Sequence, residues 1–140
     1  MSSTFDRAAA HPVLGCVETM AGVLTETADV PVTFMAPADK RTALLGLAQV
    51  EAQLVALKLR LMAASDDVAL GEGARDVAAL LTHHTRGDFG ANRRDLSLAE
   101  ALDQRWAVVA SALAQGELNV AQARVIARAL DELPAEKLDA

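Results

Sequence analysis

Two adjacent histidines, His83 and His84, have the clearest potential for metal chemistry in this sequence. Neighbouring positions on a helix point to different faces, whereas metal ligands on a helix prefer a spacing of three or four residues. His11 is the third histidine and Cys16 is the single cysteine, so few soft ligands are present. We therefore predict no metal site and no metal cofactor.

The motifs of common enzymes are absent from the sequence. It contains no CxxC pair, no HExxH zinc motif, no GxxxxGK[ST] phosphate loop and no GxSxG nucleophile turn. The carboxylate pairs, Asp66 with Asp67 and Asp131 with Glu132, fall at predicted helix ends, where solvation explains them. We predict that the chain is not an enzyme and has no catalytic residues, no cofactor and no small-molecule substrate.

Five arginines are the candidates for contact with the phosphates of nucleic acid. The stretch HHTRGDFGANRR holds three of them, but acidic residues follow it directly and the formal net charge of the chain is −6. DNA-binding domains draw much of their affinity from neutralised phosphates, so this charge favours a solvated surface instead. The candidate nucleic-acid contacts are Arg86, Arg93, Arg94, Arg124 and Arg128.

The composition predicts an all-α fold. Of 140 residues, 52% are hydrophobic and 23% are charged, which suits one globular domain with a real core. Aromatic residues make up only 3%, so the core must consist of leucine, valine and alanine, with Trp106 as an anchor and Cys16 inside. No alternating polar pattern indicates strands.

The apolar runs, the N-terminus and the cysteine content indicate where the protein is located. No run approaches the roughly 18 apolar residues of a membrane span, and the N-terminus does not have the pattern of a secretion signal. A single cysteine cannot form an internal disulfide, which suits a reducing compartment. We therefore expect a cytoplasmic protein with no membrane partner.

A long second helix is the element on which the others must pack. The first helix begins at His11 or Pro12, and the loop VPVTFMAP leads to a second helix from about Ala38 to about Ala69. One row of apolar residues on this long helix is spaced alternately four and three residues apart, which is the spacing of coiled-coil a and d positions. A second row of apolar residues widens the apolar face of the helix. The first row is Ala43, Leu47, Val50, Leu54, Leu57, Leu61, Ala64 and Val68, and the second is Leu45, Ala48, Ala52, Val55, Leu59 and Met62.

The width of this face favours packing within the chain. A broad apolar face is typical of a helix covered from two sides by its own domain, whereas a narrow seam would indicate a simple coiled coil. The alternative is a homodimer in which part of the long helix meets its symmetry mate. Both interpretations remain open at the level of sequence.

Shorter helices follow the long one. A third helix is predicted over about Ala74 to His84, and a fourth begins near Ala91. The apolar positions after it fit either one long helix or two helices broken near Gln104 and Arg105. The whole is therefore expected to be a bundle of five or six helices around one long central helix.

The C-terminal part predicts an αα-hairpin. Gly116 suits a helix end that needs positive φ, while Asn119 and Gln122 form the pattern of a capping box for a helix that Pro134 terminates. Arg124 and Arg128 share one face of that helix. A plain hairpin is favoured over a helix-turn-helix that reads DNA.

Three blocks of the sequence together resemble the domain-of-unknown-function 222 family, also called the 13E12 repeat family. They are LLGLAQVEAQLVALKLRLMAASD, LLTHHTR and LAEALDQRWAVVASALAQGELNVAQARVIARALDELP, and they cover about residues 38–134 in order. The resemblance implies an actinobacterial protein and a DNA-related context, because many members carry a C-terminal HNH endonuclease domain after this helical region.

The resemblance gives two functional hypotheses. No histidine follows His84, so the nuclease itself is missing, and the chain would be a non-catalytic accessory domain that positions DNA or the nuclease. The alternative is a protein interaction or dimerisation scaffold without nucleic-acid contact. We expect residues 1–10 to be disordered and residues 11–140 to form a single helical domain, truncated before a further helix and a possible HNH domain.

Overall fold

The computed structural model describes residues 11–134, and every regular element in that range is an α-helix. The predicted all-α fold is confirmed, with seven helices in this range where five or six were expected. The additional helix, α3, was expected to be the end of the long helix. The helices are α1 (Pro12–Thr27), α2 (Pro37–Ala63), α3 (Asp66–Gly71), α4 (Val77–Thr85), α5 (Phe89–Gln104), α6 (Ala107–Ala114) and α7 (Val120–Asp131).

Contacts divide the chain into two compact units, Met1–Asp39 and Lys40–Ala140, and each is described by itself. The predicted disorder of residues 1–10 falls outside the described residues. The predicted single domain over residues 11–140 stays a prediction.

Helix α1 belongs to the first unit. The His11 side chain accepts a hydrogen bond from the Val13 amide at 3.1 Å, and Pro12 occupies the first turn, where its missing N–H costs nothing. None of the α1 residues is buried. The prediction that Cys16 lies in the core is therefore wrong, because no residue of α1 is buried and the thiol is exposed.

Helix α2 ends at Ala63, so the predicted extension to Ala69 is wrong. The last amides, of Ala64 and Ser65, bond to carbonyls three residues back, and the Ser65 hydroxyl donates to the Leu61 carbonyl. Serine and aspartate compete for backbone hydrogen bonds and so favour helix starts over helix interiors. The Ser-Asp-Asp sequence therefore ends one helix and begins another, α3.

The core of the second unit lies between α2 and the helices that follow it. Ala52, Ala56, Leu59 and Met62 of α2 are buried in it. Half of the buried hydrophobic residues are alanines, which lets the helices approach closely. The largest fully buried side chains in the core are leucines, one from α5 and one from α6. They are Leu96 and Leu113.

The region that the sequence left open forms two helices, α5 and α6. The chain turns at Arg105 and Trp106, whose amides both donate to the Ala101 carbonyl, at 2.9 and 3.1 Å. The Trp106 side chain packs against the core and is half-buried. Its predicted role as a core anchor is confirmed.

Helices α6 and α7 form the predicted hairpin. Gly116 has φ 76° at the end of α6, and the Asn119 side chain accepts from the Gln122 amide at 2.8 Å. Gln122 in turn accepts from the Asn119 amide at 2.9 Å, which completes the capping box. Ala123 and Ala127 are buried, so this face of α7 packs against the core.

Helix α2 is also the one helix within residues 11–134 that is long and apolar enough, by length and composition, to cross a membrane. Glu51 and Lys58 interrupt its apolar sequence, so the helix contains no uninterrupted apolar run of that length. The core helix of a soluble protein passes the same test but is mostly buried, whereas only 17% of the apolar window of α2 is buried. The expected absence of a membrane partner stays a prediction.

Candidate functional site

One face of α2 carries an exposed apolar row, which is the candidate site. We call the outer row those predicted a and d residues that lie within α2. Leu47 is 54% exposed, Val50 50%, Leu54 45% and Leu61 44%, while Leu57 is half-buried. The outer row consists of Ala43, Leu47, Val50, Leu54, Leu57 and Leu61.

The second predicted row is the one that enters the core. Ala52, Leu59 and Met62 are buried and Val55 is half-buried. Packing within the chain was therefore predicted correctly for this part of the row, whereas its first two residues, Leu45 and Ala48, are exposed. Within the second unit, no described element covers the outer row, and the expectation that the long helix is covered from two sides stays a prediction.

Polar side chains flank the outer row on both sides. Glu51 and Lys58 are exposed along one flank, seven residues apart, and Gln53 and Arg60 are exposed along the other. Residues seven apart lie almost above one another on a helix. The polar side chains of each flank therefore form a line that runs parallel to the apolar row.

A groove between α5 and α7 brings together three of the five predicted arginines, Arg94, Arg124 and Arg128. It has a volume of about 340 Å³ and is open to solvent. Arg105, which the sequence analysis did not propose, lies in the same groove, as do Asp131 and Glu132. The groove therefore mixes both signs of charge.

Ion pairs occupy several of these arginines. Arg124 binds the Asp95 carboxylate of α5. Arg93 Nη1 lies 3.2 Å from Asp76 Oδ2, which ties it to the start of α4 and away from the groove. Arg86 follows the end of α4 in a left-handed conformation, with φ 55°, and does not line the groove.

Arg105 and Trp106 share one acceptor at the end of α7. Arg105 Nε donates to Asp131 Oδ1 at 3.1 Å and its Nη2 donates to Oδ2 at 3.3 Å, while Trp106 Nε1 donates to Oδ1 at 2.9 Å. These residues are about 25 positions apart in sequence and meet only because the hairpin folds back. No local pattern could have identified the cluster.

The two adjacent histidines make contacts within the protein. His84 Nε2 lies 2.9 Å from Glu72 Oε1 of the α3–α4 connection, and the His83 ring meets the His84 ring edge to face at 5.3 Å. No group of three metal-binding side chains occurs among the described residues. The prediction of no metal site stays a prediction.

Comparison with known proteins assigns the chain to a family. A search of the curated proteins and of the solved structures finds no significant match. A family model described as "Domain of unknown function (DUF222)" matches residues 41–140. That match covers more than two thirds of the sequence, including the blocks that carried the resemblance. The chain therefore belongs to the domain of unknown function 222 family.

Proposed function

We propose that this chain is a non-catalytic helical scaffold whose outer row packs against an apolar helical face of another protein chain. The observation that supports this proposal is the row itself, in which leucine and valine side chains at coiled-coil spacing stay about half exposed. A contiguous exposed apolar row is typical of an interaction site.

The energetics favour a covered row. Full burial of a leucine or valine side chain stabilises by about 1.5 to 3 kcal/mol, so covering the exposed half of one contributes about 1 kcal/mol. Four half-exposed side chains, Leu47, Val50, Leu54 and Leu61, act in one row. The free energy gained by covering all four side chains together is large enough to stabilise a specific contact with another protein.

A helix from another protein fits the flanks better than lipid does. Glu51 and Lys58 run beside the row, and a charged residue at the centre of a bilayer costs about 3 kcal/mol on insertion scales. At a protein interface, the same charges can lie at the rim and keep their contact with water.

Photo-crosslinking tests this proposal. We expect a photo-reactive amino acid at position 54 to crosslink the chain to a protein, because Leu54 lies in the middle of the outer row. The control is position 108, where Val108 is 84% exposed but lies on α6. Equal crosslinking at the two positions, or none at either, would contradict the proposal.

A second candidate function is the positioning of DNA by the α5–α7 groove. The specific observation is that Arg94, Arg124 and Arg128 line one groove, and in the described range Arg94 and Arg128 have no ion pair. The resemblance to proteins that carry HNH nuclease domains gives this candidate its DNA context. The negative net charge and the paired Arg124 weigh against it.

A salt titration with duplex DNA tests the second candidate. If the groove binds phosphates, affinity falls steeply with salt, and replacing Arg94 and Arg128 by alanine reduces the slope of log K against log salt by about 2. The matched control removes the same charge from Lys40 and Arg41 at the start of α2 and should leave the phosphate contacts intact. Absence of binding at low salt would eliminate this candidate.

A further inference from the structure

We propose that the occupant of the outer row is α2 of a second copy of this chain, packed antiparallel so that Glu51 of each copy faces Lys58 of the other. This inference rests on the proposed scaffold function and names its partner. The spacing of the outer row, the charges on one flank and the position of the core support it.

The spacing of the outer row defines a coiled-coil register. Steps of four and three place Leu47, Leu54 and Leu61 at a positions and Val50 and Leu57 at d positions. In an antiparallel pair, each a residue meets a d residue of the other helix. One such alignment layers Val50 on Leu61 of the second copy and Leu54 on Leu57 of the second copy.

The charges distinguish this alignment from its neighbour. Glu51 and Lys58 both occupy e positions, and e positions face each other in an antiparallel pair. The alignment above places Glu51 opposite Lys58 of the second copy, and symmetry repeats the pair. Sliding one helix by a heptad pairs all six residues of the outer row, whereas the alignment above pairs four of them, but it places Glu51 opposite Glu51, which is repulsive.

The charges also distinguish antiparallel from parallel packing. In a parallel pair, e positions face g positions, so Glu51 would meet Gly46 and Lys58 would meet Gln53. That arrangement buries the same row without any complementary charge. On the second flank of the antiparallel pair, Gln53 faces Arg60, which adds no repulsion.

The core of the second unit leaves this face of α2 exposed. The core contacts come from Ala52, Ala56, Leu59 and Met62, which lie on a different side of the helix from the outer row. Glu51 and Lys58 are exposed, and no ion pair joins either of them to another described residue. Two copies can therefore pair through α2 while each keeps its own core.

Charge reversal in the whole 140-residue chain tests the pairing. Glu51→Lys alone places a second lysine opposite Lys58, and Lys58→Glu alone places a second glutamate opposite Glu51. Each variant therefore has two repulsive pairs in its homodimer. We expect each to raise the dimer dissociation constant about tenfold, measured by sedimentation equilibrium. An equimolar mixture of the two variants has attractive pairs only in its heterodimers, and we expect these to form more tightly than either homodimer.

The controls separate pairing from folding. Glu117→Lys makes the same charge change in the α6–α7 turn and should leave the dissociation constant unchanged. Thermal unfolding followed by circular dichroism verifies that each variant keeps its helices. A monomeric wild-type chain at its highest soluble concentration, or a mixture no tighter than the single variants, would overturn the antiparallel pairing.

Failure of this inference is distinguishable from failure of the scaffold proposal. A monomeric chain whose position 54 crosslinks to a different protein overturns self-pairing and leaves the scaffold function standing. A monomeric chain without crosslinks at position 54 overturns both. Dimers that respond equally to Glu117→Lys and to Glu51→Lys overturn the role of the flank charges.

Discussion

Replacing Leu96 by alanine is expected to lower the free energy of unfolding by about 3 kcal/mol, within the range of about 2 to 5 kcal/mol for buried leucines. Leu96 lies on α5 and is 1% exposed. Truncating it removes apolar contacts and leaves a cavity that the surrounding helices can fill only in part. Leucine and alanine are both good helix formers, so helix propensity contributes little to the change. Urea denaturation followed by circular dichroism measures it.

The same substitution at an exposed site isolates the packing contribution. Leu70 lies on α3 and is 81% exposed, so Leu70→Ala should change the free energy of unfolding by less than about 0.5 kcal/mol. Equal losses for Leu96→Ala and Leu70→Ala would mean that α5 does not occupy the centre of the core.

Gly116→Ala is expected to cost about 2 to 3 kcal/mol of stability, for two reasons that can be separated. Gly116 has φ 76°, a conformation that costs an L-residue about 1 to 2 kcal/mol. A Cβ atom there would also overlap Cγ of Gln49, whose side chain bridges from α2 to the Gln115 carbonyl at 3.4 Å. Displacing Gln49 therefore disturbs the contact between the long helix and the hairpin. Urea denaturation measures the loss.

Gly73 provides the matched control, because it has φ 73° and open space where a Cβ atom would be. Gly73→Ala should show the conformational cost alone. In a Gln49→Ala background the overlap is absent, so Gly116→Ala should then cost no more than Gly73→Ala does. If Gly116→Ala costs the same with and without Gln49, the close approach has no energetic role.

The C-terminal hairpin was predictable because its signals are local. Gly116, Asn119 and Gln122 define a helix end and a capping box within seven residues, and the apolar spacing of α7 shows which face is buried. Chemistry between near neighbours in the chain decides all of these features. The structure reproduces them.

The end of α2 and the exposure of Cys16 were harder to predict. An apolar pattern that continues to Val68 predicts a continuous helix, but the competition of Ser65 for backbone hydrogen bonds ends it at Ala63. Apolar residues around Cys16 suggested a place in the core, but burial requires a second element, and no residue of α1 is buried.

The two rows of α2 show the same limit at the candidate site. Their spacing predicts two apolar faces, yet nothing in the spacing indicates which row the following helices cover. The arginines behave similarly, since Arg93 and Arg94 are adjacent in sequence but only Arg94 lines the α5–α7 groove. Partners far away in the chain, such as Asp76 and Asp95, decide which charges remain available.

The attachment of Trp106 to Asp131 gives the molecule a built-in optical probe. The chain has one tryptophan and no tyrosine, so its fluorescence comes from a single indole. That indole N–H donates to a carboxylate at the end of the last described helix. The tryptophan emission therefore reports on the contact between the end of α7 and the start of α6. Circular dichroism, in contrast, reports on all the helices together. Comparing the two signals shows whether the hairpin opens before the rest of the protein unfolds.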